Sequence, residues 1–343
     1  MSEKFGVLPN GTTAYLYTIT SGQIKAVFTD LGATLVKLFV PDKNGKLSDV
    51  VLGYDDPNQY CASGTFFGAV VGRNANRISR GVFTLNGRQY QLDQNNGRNN
   101  LHSGFDFYKN RIWKTLCIEE DAITFELESP HGDQGFPGNA RIRVKYSLEQ
   151  GNTLRITYSA TSDQDTVFNF TNHSYFNLAG HEKPEKAMEQ WLTMPARYFT
   201  PADAEGIPTG EERSVEGTAM DFRIPKPVGR DIDQKEEPLQ LQGGYDHNFE
   251  VFVNPCAILM DPESGRTMAV STDCPGVQLY SANFAAKKEG KDGVLYCFRS
   301  GICLETQFYP NAVNNPGWRQ PVTRAGEEYH SETAFMFHTE LID

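Results

Sequence analysis

His173 lies in Thr171-Asn172-His173-Ser174-Tyr175-Phe176-Asn177-Leu178, a histidine set among small hydrogen-bonding groups and aromatic rings. An imidazole with an ordinary pKa of about 6.5 gives or takes a proton close to neutrality. The β-prone run Thr166-Val167-Phe168 precedes it, so a sheet can fix the residue while a cleft reaches it. The plainer reading is a sheet-rim histidine held by Asn172 and Ser174. Against that reading stand Arg77, His102, Asp246 and Glu305, each in another polar, glycine-bearing stretch. Clefts on β scaffolds are assembled from scattered contributions of this kind.

Each of these stretches has its own chemistry and its own plainer reading. Gly72-Arg73-Asn74-Ala75-Asn76-Arg77-Ile78 offers planar guanidinium forks beside a glycine that lets backbone approach closely. One of its two arginines is expected merely to hold loop carbonyls. Asn99-Asn100-Leu101-His102-Ser103-Gly104 is a loop whose histidine, taken alone, reads as structural. In Gly244-Tyr245-Asp246-His247-Asn248-Phe249 the acid and the imidazole are adjacent. On a strand they face opposite ways, so at most one enters a given cleft. Gln278 sits in the strand-like Gly276-Val277-Gln278-Leu279-Tyr280 and would otherwise be a surface amide. Glu305 follows the apolar Ile302-Cys303-Leu304, and a buried carboxylate needs a partner or a task; an ordinary strand-end glutamate is the alternative.

The elements that must position these groups are strands. Val82-Phe83-Thr84-Leu85 and Arg88-Gln89-Tyr90-Gln91-Leu92 flank Asn86-Gly87, a strong hairpin signal. Ile142, Val144, Tyr146 and Leu148 alternate with polar residues, then Gln150-Gly151-Asn152 turns the chain into Leu154, Ile156, Tyr158 and Ala160. Ile123, Phe125 and Leu127 form another alternating run, and Val36–Val40 and Val50–Leu52 bracket a polar turn. Helix signals are few: Asp55-Asp56-Pro57 opens a short helix to about Ala62. The pattern predicts an all-β sandwich or barrel. The segment from His181 to Pro238 reads as packed loops, given Trp191, Leu192, Met194, Tyr198, Phe199 and Phe222. No internal repeat appears, and residues 1–343 are expected to form a single domain.

With 43 acidic against 32 basic side chains and a formal charge of −11, phosphate backbones and anionic membranes are poor partners. Cys61, Cys117, Cys256, Cys274, Cys297 and Cys303 show neither C-x-x-C spacing nor a disulfide framework. The first residues lack the apolar core of a signal peptide and no run is long enough to span a bilayer. Free thiols in a reducing cytoplasm are the expectation. No dinucleotide, Walker, nucleophile-elbow or zincin motif occurs. His102, His173, His247 and Glu305 can be written as a metal set, but no pair has the short spacing of a known site.

Taken together, Gly72 to Ile78, Asn100-Leu101-His102, Gly132 to Asn139, Thr171 to Leu178, Gly244 to Phe249, Pro275 to Tyr280 and Leu304-Glu305-Thr306-Gln307 resemble the aldose 1-epimerase family. Its members are mutarotases acting on galactose and glucose, and the matching stretches occur in the family's order along nearly the whole chain. The resemblance implies a galactose mutarotase-like β-supersandwich with a sugar-binding cleft. It implies His173 as general acid and Glu305 as general base. The implied substrate-binding residues are Asn76, Arg77, His102, Tyr175, Asp246 and Gln278, with plain core packing the alternative for Tyr175. Where family members often carry two glycines after the first histidine, this chain has Ser103-Gly104, which puts the geometry of that loop in question.

The implied chemistry is interconversion of the α and β anomers of free hexoses. A proton leaves the C1 hydroxyl and another reaches the ring oxygen; the ring opens, the aldehyde end rotates, and closure follows on the other face. One carboxylate and one imidazole suffice by exchanging roles, with no metal or cofactor. The expected partner is a small aldohexose, and the expected state a monomer or homodimer in the cytoplasm. Acidic neighbours close to His173 would favour its imidazolium and extend activity toward alkaline pH. The competing readings are a sugar sensor, an epimerase of phosphorylated hexoses, and a glycoside hydrolase using Glu305 and Asp246.

Overall fold

A computed structural model describes residues 2–284 and 287–339. The strand pattern folds as its alternation dictates. Ala140–Glu149 pairs antiparallel with Thr153–Ser162 from Ala140↔Ser162 to Glu149↔Thr153, and Ile142, Val144, Tyr146 and Leu148 all turn inward. The Asn86-Gly87 hairpin forms in the expected register, Leu85 opposite Arg88. Both turn residues adopt the positive φ that this tight turn requires, 51° and 76°. Asp56 caps the helix Pro57–Ala62 by accepting from the Asn58 amide at 2.9 Å.

The Asn86-Gly87 hairpin stands as a two-stranded sheet of its own, whereas Ala140–Glu149 and Thr153–Ser162 belong to a nine-stranded sheet. Its order runs Lys114–Ile118, Ala122–Ser129, Ala140–Glu149, Thr153–Ser162, Glu328–His338, Thr267–Thr272, Ala257–Met260, Trp191–Thr193 and Lys226–Pro227. A second, five-stranded sheet comes from the first part of the chain, Ser2–Val7 to Leu47–Asp49. The partner of Thr34–Pro41 is Leu47–Asp49 and not the Val50–Leu52 run. At the next rung the Val50 amide still donates to the Leu38 carbonyl at 2.9 Å, but the Leu38 amide is taken by the Asp49 carboxylate at 3.0 Å, so the ladder ends there.

Between the sheets lies a core that includes Phe28, Phe125, Ile142, Tyr146, Leu154 and Phe335. Each such side chain contributes about 1.5–3 kcal/mol by leaving water. Tyr146 joins the layers: its ring lies 4.4 Å from that of Phe28 and its hydroxyl donates to the Ala33 carbonyl at 2.7 Å. In the stretch from His181 to Pro238, Leu192, Met194, Phe199 and Phe222 are buried, whereas Trp191 and Tyr198 are exposed. Among the described residues no helix is long and apolar enough to cross a membrane.

The sheet that matters for chemistry is another five-stranded one, ordered Arg213–Ser214, Tyr198–Thr200, β1 (Asp246–Glu250), β2 (Gly276–Tyr280) and β3 (Cys303–Gln307). Its register sets Asp246, Tyr280 and Cys303 in one row across β1, β2 and β3. Asn248, Gln278 and Glu305 form the next row.

Candidate active site

Because strand side chains alternate, every residue in those two rows shares a face, and Gln307 joins them two positions beyond Glu305. His247 must face the other way, and it does. It is buried with its ring edge-on to Phe199 at 5.9 Å, and its Nδ1 accepts from the Asp246 amide at 3.1 Å. Asp246 is thus the cleft-facing member of the pair. The four-residue metal set written from the sequence is not brought together, since His247 is turned into the core.

His173 arrives from the opposite wall. Thr171–Asn172 pairs with Val70–Val71, after which the His173 amide donates to the Ala69 carbonyl at 2.9 Å. The polar neighbours do not hold the imidazole as the plainer reading supposed. Asn172 Nδ2 donates to the Gly68 carbonyl at 2.8 Å, and the Ser174 amide donates to Asn172 Oδ1 at 3.1 Å. The ring is gripped instead by two aromatic planes, Tyr175 at 4.9 Å and 12° and Phe66 at 5.6 Å and 16°. Its Nε2 stands 3.6 Å from Glu305 Oε1, and its Nδ1 stands 3.6 Å from Cys303 Sγ. Tyr175 is buried in a core cluster and also lines the pocket.

The loop Gly72 to Ile78 divides its arginines. Arg73 is fully buried and donates to the carbonyls of Ser129, Pro130, Pro137 and Gly138, pinning the Gly132 to Asn139 stretch. Arg77 is the one that reaches the cleft. Its Nη1 lies 3.8 Å from Asp246 Oδ2, and its Nε donates to Asn96 Oδ1 at 3.1 Å. Asp246 in turn accepts from the Gln278 amide at 2.7 Å, and Gln278 accepts from Gln307 at 3.1 Å.

His102 is locked to the same loop: its amide donates to the Asn76 carbonyl, and its Nδ1 accepts from the Asn76 amide, both at 3.1 Å. The second bond leaves the neutral ring's proton on Nε2. The geometry in question after His102 is resolved by Ser103. Its φ is 76°, and its hydroxyl compensates by accepting from the Asn74 amide at 2.8 Å and donating to the Asn74 carbonyl at 3.1 Å. A positive φ costs a non-glycine residue about 1–2 kcal/mol, which two buried hydrogen bonds of about 1 kcal/mol each offset.

Asn76, Arg77, His102, His173, Tyr175, Asp246 and Glu305, with Gly64, Phe66, Leu101 and Tyr280, line one pocket of about 150 Å³. Gln278 lies beside it through Asp246. The sequence reasoning missed Phe66, Cys303, Gln307, Tyr280, Asn96 and Gly206. Cys303 and Gln307 were reachable by counting two residues either way from Glu305 along a strand. Phe66, Asn96 and Gly206 carried no local signal. Gly206, at φ 75°, lies where an added Cβ would come within 2.7 Å of Arg77 Cζ.

Burial governs the electrostatics of the pair. Desolvation pushes the Glu305 carboxyl well above its ordinary range, Asp246 adds to the rise, and Arg77 opposes it. Desolvation also pushes His173 down to about 4, outweighing the upward pull of Asp246. The expected lift of the imidazole by acidic neighbours is therefore present but overruled. Burial likewise holds His102 well below 6.5, helped by His173 and Arg77. Glu305 Oε2 is buried with no hydrogen-bond partner among the described residues. A single proton shared by the pair is thus held on the carboxyl side, with a neutral imidazole facing it.

The aldose 1-epimerase family profile matches residues 15–336. Galactose mutarotase of Bos taurus is 41% identical over 339 residues, covering 97% of each chain. Aldose 1-epimerase of Haemophilus influenzae is 38% identical over 335 residues, covering 96% of this chain and 97% of its own. The crystal structure of an aldose epimerase homologue from C. elegans superposes with a TM-score of 0.87 at 30% identity, covering 95% of this chain and 99% of its own.

Proposed function

We propose, from the premise that this chain belongs to the aldose 1-epimerase family, that it interconverts the α and β anomers of free hexoses such as galactose and glucose. The observation that carries this reading is the approach of His173 Nε2 to Glu305 Oε1 at 3.6 Å in a polar pocket. The pair holds one proton in two arrangements, carboxylate with imidazolium or carboxylic acid with imidazole. Ring opening consumes the first: Glu305 takes the C1 hydroxyl proton while His173 delivers one to the ring oxygen. The products are the aldehyde, a neutral imidazole and a protonated carboxyl. After rotation about C1–C2, closure on the other face runs the transfers backward, so atoms and protons balance without any group being consumed.

When the pair holds one proton, burial favours the arrangement of the open-chain stage. Carboxylic acid and neutral imidazole are what the aldehyde and its freed hydroxyl meet, so the site is preorganised for the high-energy intermediate. Asp246, Gln278, Arg77, Asn76 and His102 are the sugar-holding set. The Asp246 carboxylate and the Arg77 fork offer charge-assisted bonds to hydroxyls, and His102 offers Nε2–H. Tyr175 backs the imidazole and keeps its plane fixed. A single domain spanning the chain is supported by the sheet that draws strands from Lys114–Ile118 to Glu328–His338. The six free cysteines support a reducing compartment.

Polarimetry of freshly dissolved α-galactose and α-glucose tests the reading. Faster decay to the same final rotation supports it, whereas unchanged decay alongside measurable sugar binding would turn the assignment toward a sensor.

A further inference from the structure

We propose that His173, Cys303 and Glu305 form an inhibitory binding site for a thiophilic divalent cation of the Zn²⁺ type. Their ligand atoms all lie within 4.8 Å of one another. The imidazole is 3.6 Å from the thiol through one nitrogen and 3.6 Å from the carboxylate through the other. A tetrahedral zinc has bonds of about 2.0–2.3 Å, which set its ligands roughly 3.3–3.8 Å apart. Capture uses one imidazole nitrogen, so the more distant ligand closes by about 1 Å. That is within reach of a small side-chain rotation.

A second observation points at a cation independently of the thiol. Glu305 is 3% exposed, yet its Oε2 has no hydrogen-bond partner among the described residues. Asp246 lines the same pocket as His173 and Glu305 and sits in one cross-strand row with Cys303, so a third acidic group stands beside the ligand set. The guanidinium that answers them, Arg77, is engaged 3.8 Å from Asp246. Binding forms a metal–sulfur bond as the Cys303 thiol proton leaves to solvent, a metal–oxygen bond as the Glu305 carboxyl proton leaves likewise, and a metal–nitrogen bond to the neutral His173 ring, so two protons are released per ion bound. No redox change occurs. Thiolate, imidazole and one carboxylate form a borderline-soft set, unsuited to Mg²⁺ or Ca²⁺, which need six or more oxygens between them and water. His173 and Glu305 face the pocket, so the fourth position opens toward the sugar and the metal excludes it.

The site goes beyond mutarotation, and its direct test does not depend on that activity. Protein cleared of metal with EDTA and then freed of chelator is titrated with Co²⁺ as a spectroscopic probe. The expected result is one tightly held ion per chain with a thiolate-to-cobalt charge-transfer band. Cys303→Ser abolishes the band, His173→Asn weakens binding by about 10–100-fold, and Cys117→Ser, which removes an exposed thiol, leaves the band intact. In polarimetry, Zn²⁺ inhibits reversibly and competitively with galactose, Mg²⁺ does not, and Cys303→Ser loses about 10–100-fold in sensitivity relative to its own uninhibited rate. Absence of a band in the wild type, or a band that survives Cys303→Ser and disappears in Cys117→Ser, overturns the proposal. A cobalt band in a protein that fails to accelerate mutarotation would overturn the functional reading and leave the metal site standing.

Discussion

Glu305→Gln separates what the carboxyl does for catalysis from what it costs the fold. Glu305 is 3% exposed, and burial followed by Asp246 raises its pKa in the folded state. In the unfolded chain it ionises with a pKa of about 4.3. Between those two values the native state binds one proton more than the unfolded state. Stability conferred by the protonated carboxyl is therefore complete below the unfolded value and declines as pH rises through the window, by about 1.4 kcal/mol per unit. Glutamine has nearly the same shape and does not titrate. An unfolding entropy of about 2.1 cal/mol/K per residue over 343 residues converts that slope to roughly 2 °C per pH unit. The Tm of Glu305→Gln minus that of the wild type should thus grow by about 2 °C per unit from about pH 5 upward. His173 has the opposite sign: its depressed pKa makes stability fall as pH drops from about 6.5 toward about 4. That contribution is common to both proteins and largely cancels in the difference. Calorimetry at constant ionic strength reads the slope, and polarimetry on the same samples should show kcat down by about 10²–10⁴. A Tm difference that stays flat or shrinks with rising pH would mean that the fold favours the carboxylate, and the electrostatic account of the site would be wrong.

Three further outcomes are expected. His173→Asn should lose about 10²–10⁴ in kcat, and its combination with Glu305→Gln should lose less than the product of the two, because the pair acts as a unit; near-normal kcat in both folded single variants would remove the acid–base assignment. Wild-type kcat/KM against pH should be bell-shaped, and the shifts assign its acid limb to a second proton entering at His173 and its alkaline limb to loss of the single proton held by Glu305; in His173→Asn the acid limb should vanish, and its persistence would reverse the assignment. Gly206→Ala should push Arg77 off the cleft, since its Cβ would come within 2.7 Å of Cζ; loss of one charge-assisted bond, about 1.5 kcal/mol, raises KM about tenfold with kcat less affected, and an unchanged KM would remove Arg77 from the sugar-holding set.

What was legible in the sequence was whatever a short window decides. The Asn86-Gly87 turn, the alternation of Ile142 to Leu148 and the Asp56 cap depend on neighbours a few residues away, and each formed where expected. Strand alternation also fixed that Asp246 and His247 would part company. The roles of Arg73 and Arg77 were not separable from their letters, because one side chain finds carbonyls of residues 129–138 and the other finds Asp246. The same holds for protonation. A list of charges predicted a raised imidazole, but only the packed rings of Phe66 and Tyr175 reveal how dry the site is, and dryness decided the sign. Cross-strand register was equally hidden: that Gln278 stands beside Glu305 depends on strands drawn from separate parts of the chain.

The two-residue alternation of β1 amounts to a reading frame for the cleft. Asp246 faces the sugar side and His247 the Phe199 side. Adding or deleting one residue in the turn at Gly243-Gly244 would, if it slipped the register of β1 against β2 by one, exchange the two. The acid would be driven into an apolar interior and the imidazole brought out beside Arg77. Such a lesion would leave composition almost untouched while inverting the site. Length variation in this lineage is therefore expected to accumulate in outer connections such as the polar turn at 41–46, and to be purged from the few residues leading into β1, β2 and β3.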